Sequence, residues 1–136
     1  MSSLSVSLRS IPDTQAAIGW AGGHTVVIDR PEGRAGGMGL GFNGGQMIAL
    51  AIGGCFCNDL RYAAHELGVE LSNIAVSVTV ELDGEPLIAR SATMTVDCKA
   101  ADGTPATTVV ERARTICTVA NSLVKGVSVH IQTASV

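Results

Sequence analysis

Four cysteines, Cys55, Cys57, Cys98 and Cys117, are the residues of this sequence best suited to covalent chemistry. A thiolate attacks peroxides and disulfides and binds soft metals, so the place of each thiol on its element decides what it could do. Cys98 follows Met94 and Val96 on the apolar side of an alternating segment and reads as plain core. Cys55 and Cys57 form Cys-x-Cys inside a helical pattern, where residues two apart point about 200° away from each other. The two can neither pair readily nor grip one ion together, and at most one faces a given pocket. His24, His65 and His130 are scattered and no zinc-knuckle spacing is present, so no metal site is expected. Cys117 lies on the apolar stripe of a later helical pattern. With Cys55 or Cys57 it makes either a reactive pair from two packed helices or two inert thiols where helices cross, and spacing alone leaves both open.

The elements that must position these thiols can be read from periodicity. Leu4, Val6 and Leu8 alternate with polar residues, as an edge strand ending near Pro12 does, and Thr25 to Ile28 forms a second short strand. Residues 31–41 are glycine-rich and loop-like. Asn43 and Gln46 have capping-box spacing for a helix that Gly68 ends. From Met47 to Ile52 that helix is apolar all round, as a helix surrounded by protein is, which in so small a chain points to an oligomer. Ile74 to Leu82 and Ile88 to Cys98 alternate as two longer strands about a turn at Asp83-Gly84. A second helix is predicted from Thr108, capped with Glu111, to Gly126, its stripe running through Val109, Ala113, Ile116, Cys117, Ala120 and Leu123 or Val124. Val127, Val129 and Ile131 make a final strand. The predicted order is β-β-α-β-β-α-β in a single domain, residues 1–136, of α+β class.

Composition narrows the function classes. A chain of 136 residues buries roughly two-thirds of its unfolded surface, enough for a core. With 46% hydrophobic but only 3% aromatic residues, aliphatic and small side chains must fill it. A net charge of −3 without a Lys/Arg cluster argues against nucleic acid. The N-terminal residues do not read as a signal peptide, and the apolar run from Met47 to Cys57 is too short to span a bilayer, so no membrane partner is expected. Four cysteines in such a chain suit the reducing cytoplasm.

Two segments carry a family resemblance. Asn43 to Phe56, Asn-Gly-Gly-Gln followed by an alanine-rich stretch and Cys55-Phe56, resembles the opening of the central helix in proteins of the OsmC/Ohr family, named for osmotically inducible protein C and organic hydroperoxide resistance. Cys117-Thr118-Val119-Ala120-Asn121 is similar to that family's Cys-Pro-containing second signature. Gly23-His24-Thr25, Asp29-Arg30-Pro31 and Gly36-Gly37 resemble the loop region before the helix. The resemblance implies an intertwined homodimer, with central helices packed between antiparallel sheets and active sites at the subunit interface. It implies thiol-dependent reduction of organic hydroperoxides, with Cys55 as the peroxidatic and Cys117 as the resolving cysteine. An external dithiol would restore the enzyme, and no metal or organic cofactor would be needed.

Departures from the pattern bear on activity. Gly45 stands where the family has a glutamate that orients an activating arginine, and Gly44 stands in place of its proline. His24 falls at the expected arginine. Arg30 and Arg34 nearby could replace it or be solvated loop charges. Asn58 could bind substrate or serve the subunit interface. Asp59, one turn after Cys55, would oppose thiolate formation if unpaired. A catalytically impaired dimer that binds a small apolar ligand is therefore the alternative expectation.

Overall fold

A computed structural model of the chain describes residues 1–134. It divides into two compact units, Met1–Ile48 with Leu82–Ala89, and Ala49–Glu81 with Arg90 onward. Strands β1 (Ser7–Ser10), β2 (Ala17–Ala21) and β3 (His24–Ile28) come first, then helix α1 (Gly44–Leu67). The paired strands β4 (Leu71–Asp83) and β5 (Ile88–Ala100) follow, then helices α2 (Thr107–Ile116) and α3 (Thr118–Lys125). The α+β class is as expected, but the order is β-β-β-α-β-β-α-α.

The three differences have physical causes. The unexpected β2 is short and glycine-interrupted, so its local pattern is weak. It forms because it pairs antiparallel with both neighbours, setting Gly19 between Leu8 and Val26. A Cβ on Gly19 would already lie 3.4 Å from Leu8 and 3.5 Å from Val26, so their side chains fill the space glycine leaves. The second predicted helix is two helices, broken at Cys117, whose ψ of 109° is extended. Its start is also different: Ala106 precedes α2 with no side-chain cap, so the Thr108–Glu111 capping box does not form. The final predicted strand is absent, residues 126–134 carrying no regular structure and Val129 and Ile131 being 78% and 95% exposed. A strand needs a neighbour, and none is offered to this segment within the described residues.

Other local signals hold. The Asn43 N–H donates to Gln46 Oε1 at 3.0 Å and the Gln46 N–H to Asn43 Oδ1 at 2.9 Å, a reciprocal capping box at the start of α1. Gly68, with φ +67°, ends the helix in the left-handed conformation that favours glycine.

In the first unit, one face of the β1–β3 sheet and Met47 line an open apolar hollow of about 310 Å³. Residues 29–42 return along β3, with the Phe42 N–H donating to the Val27 carbonyl at 2.9 Å. A side chain at Gly41 would collide with that carbonyl. The loop is organised around Asp29, 5% exposed. Its carboxylate accepts the backbone N–H groups of Arg30 (2.7 Å), Met38 (3.1 Å) and Leu40 (3.0 Å), and one guanidinium N–H of Arg30 (3.2 Å). The Leu40 N–H above all, against the opposing effect of burial, holds the Asp29 carboxyl down at about 2. A carboxyl lower in the folded than in the unfolded chain stabilises the fold above its ordinary value of 3.8, and that contribution is lost as pH falls toward 2. Thermal melting should therefore show a downward step in midpoint between pH 4 and 2 that is smaller in Asp29→Asn.

The second unit packs Phe56, Leu60, Ala63 and Ala64 of α1 against Cys98 of β5, Val109 and Ala113 of α2, and Cys117. Small residues dominate this core, as the low aromatic content requires. Gly53 lets α1 approach β4 closely: a Cβ there would lie 3.0 Å from Val78.

Candidate active site

Cys55 and Cys117 meet because two independent local structures put them there. On α1, Phe56 and Leu60 anchor the inward face, and Cys55 sits at its half-buried margin. Cys117 occupies the joint between α2 and α3 and is fully buried. The joint is held from both sides. The Asn121 N–H donates to the Cys117 carbonyl at 3.0 Å, starting α3, and the Asn121 side-chain amide donates to the Thr115 carbonyl at 3.2 Å, serving a carbonyl at the end of α2. Asn121 thus fixes the turn that aims Cys117, a role no local sequence pattern announces.

Asp59 lies beside the two thiols. It is 7% exposed, and its Oδ2 accepts a hydrogen bond from Cys55 Sγ at 3.5 Å. The two sulfurs and an Asp59 oxygen all lie within 4.8 Å of one another. No cation pairs with Asp59 among the described residues. Burial pushes the Cys117 thiol up to about 11; the backbone N–H of Ala120 pulls it partly back, while hydrogen bonding with Asp59 and Cys55 raises it further. Burial likewise raises Cys98, with Arg61 opposing. The three-residue cluster could hold a soft divalent ion with three ligands, one short of a closed structural zinc site. Its simpler capacity is thiol–disulfide chemistry, since the sulfurs are already near the separation from which a modest shift closes a bond.

The remaining thiols and side chains separate cleanly. Cys98 is buried in the core, and Cys57 is half-buried outside the Cys55–Asp59–Cys117 cluster. Asn58 is exposed on α1. His24, Arg30 and Arg34 belong to the other unit. There, His24 is exposed at the start of β3 and borders the apolar hollow. Arg30 donates to Asp29 and to the Gln15 carbonyl, and Arg34 is exposed in the glycine-rich loop. Asp59 was visible in the sequence only as an acidic neighbour of Cys55; that it also lies within 4.8 Å of the Cys117 sulfur depends on how α2 and α3 pack.

Residues 36–132 match the family model described as OsmC-like protein. The fold is similar to the crystal structure of an OsmC-like protein from Mycoplasma pneumoniae, with a TM-score of 0.72 at 13% identity over 90% of this chain and 87% of that one. It is also similar to an organic hydroperoxide resistance protein OsmC from Legionella pneumophila (TM-score 0.62, 17% identity, 90% and 91% covered). A third similar structure is the organic hydroperoxide resistance protein OhrB of Bacillus subtilis (TM-score 0.57, 20% identity, 88% and 90% covered). No curated protein matches the sequence.

Proposed function

Because the chain belongs to the OsmC-like protein family, we propose that it reduces organic hydroperoxides with Cys55 as the peroxidatic and Cys117 as the resolving thiol. The observation that carries this reading is the convergence of both sulfurs on one cluster beside a buried carboxylate. The Cys55 thiolate attacks the distal peroxide oxygen, the alcohol departs, and the sulfenic acid left on Cys55 condenses with Cys117 to a disulfide. An external dithiol then reduces the disulfide by exchange. Four free cysteines suit this cycle in a reducing compartment such as the cytoplasm, and among the described residues no helix is long and apolar enough to cross a membrane. Arg30 is already engaged by Asp29 and Gln15, and Asn58, exposed on α1 within one turn of Cys55, is the candidate for substrate contact. The test is turnover of cumene hydroperoxide with dithiothreitol, compared with hydrogen peroxide. Faster turnover of the organic substrate supports the reading, and none with either peroxide overturns it.

We read residues 1–136 as one functional domain completed by a second copy of the chain. Leu50 of α1 is 45% exposed, and Val127, Val129 and Ile131 alternate along the sequence as a strand does with no strand beside them among the described residues. A partner chain supplies what both lack, a covering surface and a pairing edge. Light scattering should give twice the 13.9 kDa chain mass at micromolar concentration, and a stable monomer would remove the argument. A second reading, binding of a small apolar ligand by a weakened enzyme, is favoured by Gly45 in place of the family's glutamate. It predicts an accessible Cys55 with no peroxide turnover at any pH.

A further inference from the structure

Asp59 is a nearly buried carboxylate whose neighbours are two thiols and no cation among the described residues. Withdrawing a carboxylate from water is costly unless hydrogen bonds replace its hydration, and thiols are weak donors. The position is poor for stability and well placed for proton transfer. We propose that Asp59 is the proton-transfer residue of disulfide closure: it takes the proton from Cys117 as that sulfur attacks, and gives it to the group leaving Cys55.

The assignment rests on the peroxidase reading for its physiological leaving group. When Cys55 carries a sulfenic acid, Cys117 Sγ attacks the Cys55 sulfur. The Cys117 proton passes to Asp59, the S–S bond forms, and the S–O bond breaks. The departing hydroxyl takes the proton from Asp59 and leaves as water. The Cys117 sulfur is oxidised and the sulfenic sulfur reduced, both ending as disulfide sulfurs, so no other oxidant is needed. The step answers a difficulty in the site. A fully buried Cys117 whose thiol is pushed up to about 11 holds almost no thiolate at neutral pH, and the thiolate is the attacking species. A carboxylate oxygen within 4.8 Å of its sulfur removes the need for prior ionisation.

The experiment separates the two half-reactions and does not depend on peroxide. In a Cys57→Ser background, reduced protein is mixed with 4,4′-dithiodipyridine. Attack by Cys55 releases one thiopyridone, and attack by Cys117 on the resulting mixed disulfide releases a second. Asp59→Asn keeps the side-chain shape and a hydrogen-bond acceptor but removes the base. Removing the charge beside Cys55 should leave the first release as fast or faster, while the second should slow by roughly 100-fold or more. A second release as fast as in the Asp59 protein overturns the assignment. Should the variant fail to fold, the parent protein still decides the matter: its second release should slow in deuterium oxide, and no slowing overturns the proposal. A parallel run with cumene hydroperoxide keeps the two ideas apart. A second release that depends on Asp59, with no 55–117 link formed by peroxide, would sink the peroxidase reading and leave the role of Asp59 standing. A peroxide-driven link that forms equally fast in Asp59→Asn would do the reverse.

Discussion

Replacing Cys55 with serine is expected to lower organic hydroperoxide turnover by more than about three orders of magnitude, the scale on which loss of a nucleophile acts. Cys55 is the half-buried member of the pair and so the thiol a peroxide can reach, whereas Cys117 is fully buried. A serine hydroxyl in the same place has neither the acidity nor the polarisability to attack the peroxide oxygen. Cys117→Ser should behave differently. Its first turnover should proceed to the Cys55 sulfenic acid, which dimedone traps, and repeated turnover should then fall as the unresolved acid oxidises further to the irreversible sulfinic form. Cys57→Ser and Cys98→Ser should keep turnover, because neither sulfur belongs to the cluster. Mass spectrometry of the peroxide-treated wild type should find a 55–117 link. A dominant link through Cys57 would mean that the other side of α1 carries the chemistry.

Leu60→Ala should produce a large stability loss, about 2–5 kcal/mol. Leu60 is 0% exposed, in the α1 layer that packs with Cys98, Val109 and Ala113. Most of its core neighbours are small, so few long side chains are at hand to move into the space it would vacate. Urea unfolding should show a lower midpoint at an unchanged slope. Because Leu60 adjoins Asp59 and lies five residues from Cys55, the same variant should also slow 55–117 disulfide closure by loosening α1 against the α2–α3 joint. A loss below about 1 kcal/mol would show that the site collapses around the missing atoms.

The Asn43–Gln46 capping box, the Gly68 terminus and the alternation of β4 and β5 were legible in the sequence because each is written in residues that touch along the chain. The burial of Cys98 followed from its place in that alternation, and the family followed from two short cysteine segments in the right order. Elsewhere local rules pointed the wrong way. Thr108 and Glu111 have capping-box spacing, yet the helix begins before them, where Ala106 is drawn into the core and its N–H donates to the Cys98 carbonyl at 2.9 Å. β2 owes its existence to strands on both sides rather than to its own five residues.

The sequence by itself determined which residues could react, that Cys55 and Cys57 would sit on one helix, and that α1 would carry apolar side chains all round. Only the tertiary structure decided that Cys55 rather than Cys57 faces Cys117, that a helix break aims Cys117 at it, and that Asp59 joins them. The reason is range. Caps, turns and alternation are set by contacts within a few residues, whereas the cluster joins side chains about sixty positions apart along the chain. Its geometry comes from how Phe56 and Leu60 pack against Val109 and Ala113, and from one hydrogen bond by Asn121 across the α2–α3 joint, neither of which leaves a periodic trace.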